Sequence, residues 1–240
     1  MMLGEFKTEI IGISTEVAIA DEFGVTINDD YRCRANEQII TMTRGVVKTV
    51  FAEYDIPTPI LHIAEGQNPV DFMLANGKTL SVKSNKKSLG KVAPQNVGQP
   101  TAATYWKYFA DFADVAIPAD YKGKTEMFKR VSLDCIDEVM NRYWKNIFDC
   151  DYLIHFYDFC QKSEMLNSVP KYVAFAKRKT PAWERKWFSF TQTVDSWNES
   201  NTVKYCGESI GEFQVHNNRD CFKFRFNMKG IANLMEKGII

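Results

Sequence analysis

Residues 69–83 read Pro69-Val70-Asp71-Phe72-Met73-Leu74-Ala75-Asn76-Gly77-Lys78-Thr79-Leu80-Ser81-Val82-Lys83. An Asn-Gly pair between two alternating runs is a strong hairpin signal. A two-residue turn at Asn76-Gly77 pairs Phe72 with Ser81 and Asp71 with Val82, so each face mixes polar and apolar groups. A three-residue loop, Asn76 to Lys78, pairs Phe72 with Val82 and Leu74 with Leu80 instead. One face is then wholly apolar, and the other carries Asp71, Ser81 and Lys83. Burial of one face is what fixes register. The second pairing is therefore expected, with Lys83 directly across from Asp71.

A carboxylate beside a lysine at a strand end suits metal-assisted phosphodiester hydrolysis. The acid ligates Mg²⁺ through oxygen, and the metal neutralises charge developing at phosphorus. The lysine positions or helps deprotonate the attacking water and offsets further negative charge. One carboxylate holds Mg²⁺ weakly, so a second acid is expected nearby, and Glu16 is the candidate. A helix over residues 13–23, with Ser14 or Thr15 as N-cap, puts Glu16 on a face with Ile13, Ile19, Ala20 and Phe23. A glutamate seldom sits among core residues without a partner. In isolation, Asp71 and Lys83 more often form an ordinary cross-strand ion pair, with Glu16 at a helix edge.

Pro69-Val70-Asp71 followed by Ser81-Val82-Lys83 resembles the split motif of the PD-(D/E)xK nuclease superfamily, and more narrowly of type II restriction endonucleases. The resemblance implies Asp71 as a metal ligand, Lys83 as the catalytic lysine, Glu16 as the helical acid and second ligand, and Mg²⁺ as cofactor. Ser81 stands where that family carries its second acid. A similar Leu-Ser-x-Lys variant followed by Asn occurs in some restriction enzymes, here Leu80-Ser81-Val82-Lys83-Ser84-Asn85. The number of metals is left open, with Glu16, a backbone carbonyl, Gln95 or Gln99 as the remaining ligand.

Outward from the hairpin, helices are expected at 100–115 and 126–148, the latter with a stripe of Ile136, Val139, Met140, Tyr143 and Ile147. Strand-like runs fall at 152–156, 172–176, 187–191, 212–216 and 222–226, and Pro57 and Pro59 break the mixed region that runs to Gly66. Mixed helices and strands predict an α/β or α+β chain, one domain over 1–240, with a central mixed β-sheet flanked by helices. The resemblance implies a restriction-endonuclease-like fold.

Gly211 to Asn227 reads as a second hairpin around Asn217-Asn218-Arg219-Asp220. Phe222, Phe224 and Phe226 alternate with Lys223, Arg225 and Asn227, so the aromatics go inward. Lys223 and Arg225 then face out beside Gln214 and His216. With Asn217, Asn218 and Arg219 they form a set able to grip phosphates or read base edges. A similar C-terminal stretch recurs in restriction enzymes, which implies a DNA-facing role; an exposed amphipathic edge kept soluble by its charges is the plainer alternative.

Net charge is zero, with 30 basic and 30 acidic residues. That average hides basic runs: Lys78, Lys83, Lys86, Lys87 and Lys91 without an acid; Arg219, Lys223, Arg225 and Lys229 with Asp220; and Lys177, Arg178, Lys179, Arg185 and Lys186 with Glu184. Together they suit phosphate binding, with Lys86 and Lys87 beside the catalytic strand. No apolar run reaches the roughly eighteen residues of a membrane span, and the start lacks the apolar stretch of a signal peptide. Six scattered cysteines, without a CxxC pair, read as buried thiols of a reducing cytoplasm. Three histidines at unsuitable spacings argue against zinc. His62 and His155 sit among apolar residues and read as satisfied core histidines.

The expectation is a cytoplasmic, Mg²⁺-dependent, site-specific endonuclease acting on double-stranded DNA as a monomer or homodimer. A cognate DNA methyltransferase would belong to the same restriction-modification system. A repair or recombination nuclease with the same core is one rival. A nucleic-acid-binding protein in which Asp71 and Lys83 are only an ion pair is the other.

Overall fold

A computed structural model of the chain describes residues 7–64, 68–159, 169–216 and 220–240. These divide into two units, Met1–Gly90 with Phe148–Arg178, and Lys91–Ile147 with Lys179–Ile240. The fold is mixed α/β, as the order of elements predicts. It differs in having one five-stranded sheet in each unit where a single central sheet was expected.

The first unit opens with helix α1 (Thr8–Phe23), which starts five residues earlier than expected. Lys7 stands at its N-cap without a side-chain bond, while Ser14 and Thr15 lie inside the helix and donate to the Ile10 and Gly12 carbonyls. A short helix α2 (Asp29–Arg32) follows, capped by Asn28. Helix α3 (Glu37–Glu53) lies in the stretch read as mixed. Asn36 caps it, its side chain accepting from the Gln38 and Ile39 amides. Its buried stripe is Ile39, Ile40, Thr43, Val46, Val47, Val50 and Phe51.

Strands β1 (Pro59–His62), β2 (Phe72–Leu74) and β3 (Thr79–Asn85) come next. With β5 (Tyr152–Tyr157) and β6 (Lys171–Ala176) they form a mixed sheet in the order β1-β2-β3-β5-β6. Only the β3–β5 pair is parallel. Parallel neighbours need a long crossover, and here the chain between them runs through residues 91–147 of the second unit. Phe72, Leu74, Leu80, Val82, Ile154 and Phe156 share one core with α1 and α3.

The 69–83 hairpin keeps its expected faces and shifts its pairing by two residues. Phe72 pairs with Leu80 rather than Val82. The loop is Ala75-Asn76-Gly77, closed by the Leu74 amide donating to the Lys78 carbonyl at 2.8 Å and the Gly77 amide donating to the Leu74 carbonyl at 2.9 Å. A three-residue hairpin loop ends on a residue in the left-handed region. Gly77, at φ +78°, fills that position without strain, whereas the expected loop would have put Lys78 there.

The second unit begins with β4 (Lys91–Val92), α4 (Ala102–Phe109), α5 (Tyr121–Asp134) and α6 (Ile136–Ile147). The long helix expected over 126–148 is thus two helices that break at Cys135, although its predicted stripe is buried throughout. Strands β7 (Phe188–Phe190), β8 (Ser200–Tyr205), β9 (Glu208–His216) and β10 (Cys221–Asn227) join β4 in an antiparallel sheet, order β4-β10-β9-β8-β7. Helix α7 (Met228–Glu236) closes the chain. The core here is aromatic: Phe222 stacks on Phe128 and Phe224 on Tyr143, each pair at 4.3 Å between ring centroids. Of the five described cysteines, all are free thiols; Cys150 and Cys221 are buried, but Cys33 and Cys206 are exposed, against the expectation of buried thiols. Cys206 is exposed because it forms, with Gly207, the left-handed turn between β8 and β9. Among the described residues no helix is long and apolar enough to cross a membrane.

A side chain added at Gly77 meets nothing within 4 Å, so the cost of one is purely conformational. Gly77→Ala should lower stability by about 1–2 kcal/mol in urea denaturation, and Gly77→Asn by less. An Ala variant as stable as the native chain would mean that the loop closes elsewhere.

Candidate functional site

Asp71 is stitched into the first sheet by its backbone: its amide donates to the Leu80 carbonyl and its carbonyl accepts from the Ile63 amide, both at 2.9 Å. Its side chain leaves the face opposite Phe72 and is 7% exposed. The carboxylate is gripped through one oxygen. The Val82 amide donates to Oδ2 at 2.5 Å, and the Ser81 hydroxyl reaches Oδ2 at 3.2 Å and the Pro69 carbonyl at 3.1 Å. Lys83 Nζ lies 3.8 Å from the same oxygen, on the same face. The two-residue shift therefore puts Ser81, not Lys83, beside Asp71, and Lys83 reaches back along the strand.

Glu16 is buried on α1 and is also held through one oxygen. Tyr31 Oη donates to Oε2 at 2.6 Å, and His62 Nε2 lies 3.0 Å from it. His62 is the partner of Phe72 across the β1–β2 pair, and its ring meets the edges of Tyr31 and Phe72 at 5.0 Å each. Tyr31 and His62 are functional candidates that the sequence reading did not include. Among the described residues, none donates a hydrogen bond to Asp71 Oδ1 or Glu16 Oε1.

The electrostatics are those of crowded buried acids. Burial pushes the Asp71 carboxyl up to about 6; Lys83 opposes the rise and the Glu16 charge adds to it. Burial and the same two acids hold the Tyr31 hydroxyl far above its ordinary value, so it stays a donor. Among the described residues no three His, Cys, Asp or Glu side chains gather as a metal cluster. The donors that are present still fit Mg²⁺, which takes one or two carboxylates and keeps water or phosphate oxygens on its other positions.

The remaining expected residues divide between the units. Lys86 and Lys87 follow β3, Lys87 being exposed. Gln95 and Gln99 are exposed in the second unit. On its sheet Gln214 pairs with Lys223 and His216 with Cys221, and Phe222, Phe224 and Phe226 are buried opposite, as expected. Asn217, Asn218 and Arg219 lie outside the described residues. Arg225 is already engaged: it donates to Glu212 Oε1 at 2.8 Å, and Lys91 Nζ meets Glu212 Oε2 at 2.5 Å. In the third basic run, Arg185 donates to the carbonyls of Leu133 and Asp134, and Lys186 pairs with Glu184 at 2.6 Å.

No protein-family model and no solved structure matches the chain. A curated relative belongs to the class of type II restriction enzymes. It is the type II restriction enzyme CviAII of Paramecium bursaria Chlorella virus 1, 32% identical over 231 residues. The match takes in 96% of this chain, which spans 61% of that protein's length.

His155 lies beside Lys83 on the neighbouring strand, fully buried, with Nε2 at 2.6 Å from Asn85 Oδ1 and Nδ1 without a partner among the described residues. Burial, and then the Lys83 charge, push its imidazole down to about 3. An unfolded histidine titrates near 6.5. Between those values the unfolded chain takes up a proton that the folded chain refuses, so this contribution is complete above about pH 6.5 and is lost as pH falls toward 3. His155→Gln should flatten the acid loss of stability by on the order of a few kcal/mol between pH 7 and pH 4. Urea denaturation at both pH values checks this, and an unchanged acid slope would count against it.

Proposed function

We propose that this chain is a site-specific endodeoxyribonuclease of the type II restriction kind, hydrolysing phosphodiester bonds in double-stranded DNA with Mg²⁺. The observation that carries the reading is a pair of buried carboxylates, Asp71 beside Lys83 and Glu16 near enough for its charge to act on Asp71. Each keeps one oxygen that no described residue's hydrogen occupies. Two acids in one desolvated place are costly without a cation, and an anionic substrate would add to the cost. The similarity to a type II restriction enzyme over nearly the whole chain supports the same class.

In this reading Asp71 and Glu16 would hold the metal, each through the oxygen that no described residue's hydrogen occupies. When bound, Mg²⁺ offsets the charge that develops on the scissile phosphate. Val82 and Ser81 fix the rotamer of Asp71. Lys83 balances the phosphate and orients the attacking water. Ser81 acts through Asp71, because its hydroxyl is spent on the Asp71 carboxylate or the Pro69 carbonyl. Lys86 and Lys87 suit phosphates next to the cut. Gln95, Gln99, Gln214, His216, Lys223 and Arg225, with Asn217, Asn218 and Arg219, are the proposed DNA contacts of the second unit. Both units serve one nuclease domain. A cytoplasmic monomer or homodimer, paired functionally with a methyltransferase, completes the proposal.

Plasmid incubated with the protein should give discrete bands with Mg²⁺ and remain intact without it. A smear points to a nonspecific repair-type nuclease, and intact plasmid with retained DNA binding to a non-catalytic protein. Asp71→Asn should reduce cleavage by on the order of a hundredfold or more, with DNA binding unchanged or tighter because a repelling charge is gone. An Asn variant that cuts at near the native rate removes Asp71 from the metal.

Recognition needs planar donors held rigidly against base edges, whereas affinity can come from any lysine. Arg225→Ala should therefore lower cleavage at the cognate site far more than nonspecific binding. Lys87→Ala should weaken both alike and reduce the salt slope by about one. Equal losses in the two variants would leave the C-terminal hairpin as a phosphate clamp.

A further inference from the structure

Glu16 is held by residues that the hydrolysis itself does not require. Tyr31 reaches it from α2, and α2 and the turn after it are tied to α1 by two ion pairs, Arg32 with Asp21 and Arg34 with Glu9. His62 reaches it from the end of β1, one ladder position from Asp71. Two separate parts of the first unit thus converge on a single carboxylate oxygen of α1, Oε2, at 2.6 and 3.0 Å.

We infer that Tyr31 and His62 are positioning residues that clamp Glu16 by Oε2 and so present Oε1 to the divalent metal beside Asp71. The inference rests on the metal reading of Asp71 and Glu16 given above. A glutamate has three rotatable side-chain bonds, and ordering it for a weakly held hard cation costs rotamer freedom with each binding event. Two donors on one oxygen remove that freedom in advance. They also fix which oxygen remains available, since a carboxylate with both oxygens saturated by hydrogen bonds is a poor ligand. Tyr31 suits the role because its hydroxyl donates directly to Oε2 and its ring packs against His62. His62 suits it because its ring is packed between Tyr31 and Phe72 and cannot swing away without opening the core. If Tyr31 and His62 served only to satisfy a buried acid, both carboxylate oxygens would be expected to find donors. Among the described residues only one does.

Partners that orient a metal ligand typically alter affinity by about 10–100-fold. The test is Mn²⁺ binding to the DNA-free full chain, with free Mn²⁺ read by electron paramagnetic resonance and folding checked by thermal melting. Tyr31→Phe should weaken Mn²⁺ binding about tenfold. His62→Gln, which keeps an N–H donor, should lose less than His62→Leu. In a Glu16→Gln background, Tyr31→Phe should cause no further loss, because there is no carboxylate left to orient. Tyr31→Phe with native Mn²⁺ affinity, beside a defective Asp71→Asn variant, overturns the clamp alone. An equal Tyr31→Phe loss in both backgrounds overturns it too, by showing a general structural effect. Native Mn²⁺ affinity in both Asp71→Asn and Glu16→Gln brings down the metal reading and the clamp together.

Discussion

Phe72, Leu74, Leu80 and Val82 all point into the core they share with α1 and α3, and the polar side of the first sheet depends on that burial. Each such side chain contributes about 2 kcal/mol when buried. A one-residue slip of the hairpin would expose all four and forfeit on the order of 8 kcal/mol, comparable to the whole stability of a domain. The slip would also drive Asp71 and Lys83 into hydrocarbon. A two-residue shift costs none of this, because side chains return to the same face. Parity is thus enforced by the core, and the choice within that parity falls to the loop, where Gly77 takes the left-handed position.

The same burial shapes the electrostatics around Asp71. Asp71 is close to fully desolvated and shares its surroundings with Glu16, so its proton is held up to about 6. Three opposing features keep it from rising further: Lys83, the Val82 amide and the Ser81 hydroxyl. All three come from consecutive residues of β3, so the strand that positions the lysine also aims the acid. Ser81, opposite Asp71, donates to the carboxylate where another acid would have repelled it.

Much of this was readable in the chain, and the misses have physical causes. Alternation exposed both hairpins and the polar face of each, because a period of two is a local property. The register slipped by two because face burial cannot distinguish Phe72 opposite Leu80 from Phe72 opposite Val82; only the φ demanded at Gly77 does. Helix α3 is legible in Asn36 followed by Ile39, Ile40, Thr43, Val46, Val47 and Val50, and the breakers Pro57 and Pro59 lie beyond its end. The break at Cys135 leaves no mark, since neither glycine nor proline stands there and the stripe of α6 runs on in phase. Tyr31 and His62 meet Glu16 from 15 and 46 residues away. No local pattern encodes such a meeting, and His62 among apolar neighbours looks like any core histidine.

Zero net charge conceals how the acids are spent. Glu22 takes Arg44 and Lys48, Asp111 takes Arg142, and Glu208 takes Lys237. Each of these ties down cations that a count of charges would credit to phosphate binding. Glu212 is the most consequential, because it holds Lys91 on one oxygen and Arg225 on the other, at the centre of the polar face of the second sheet. Its carboxyl is drawn below the ordinary range by those two cations despite the opposing effect of burial. An arginine so engaged must give up a carboxylate before it can take another acceptor. A planar guanidinium does this most readily when the new acceptor takes two parallel N–H donors, whereas Glu212 gives Arg225 a single oxygen. Glu212 therefore competes for Arg225 with any other anionic group, and an acceptor that takes two guanidinium nitrogens at once displaces it more readily than one that takes a single nitrogen.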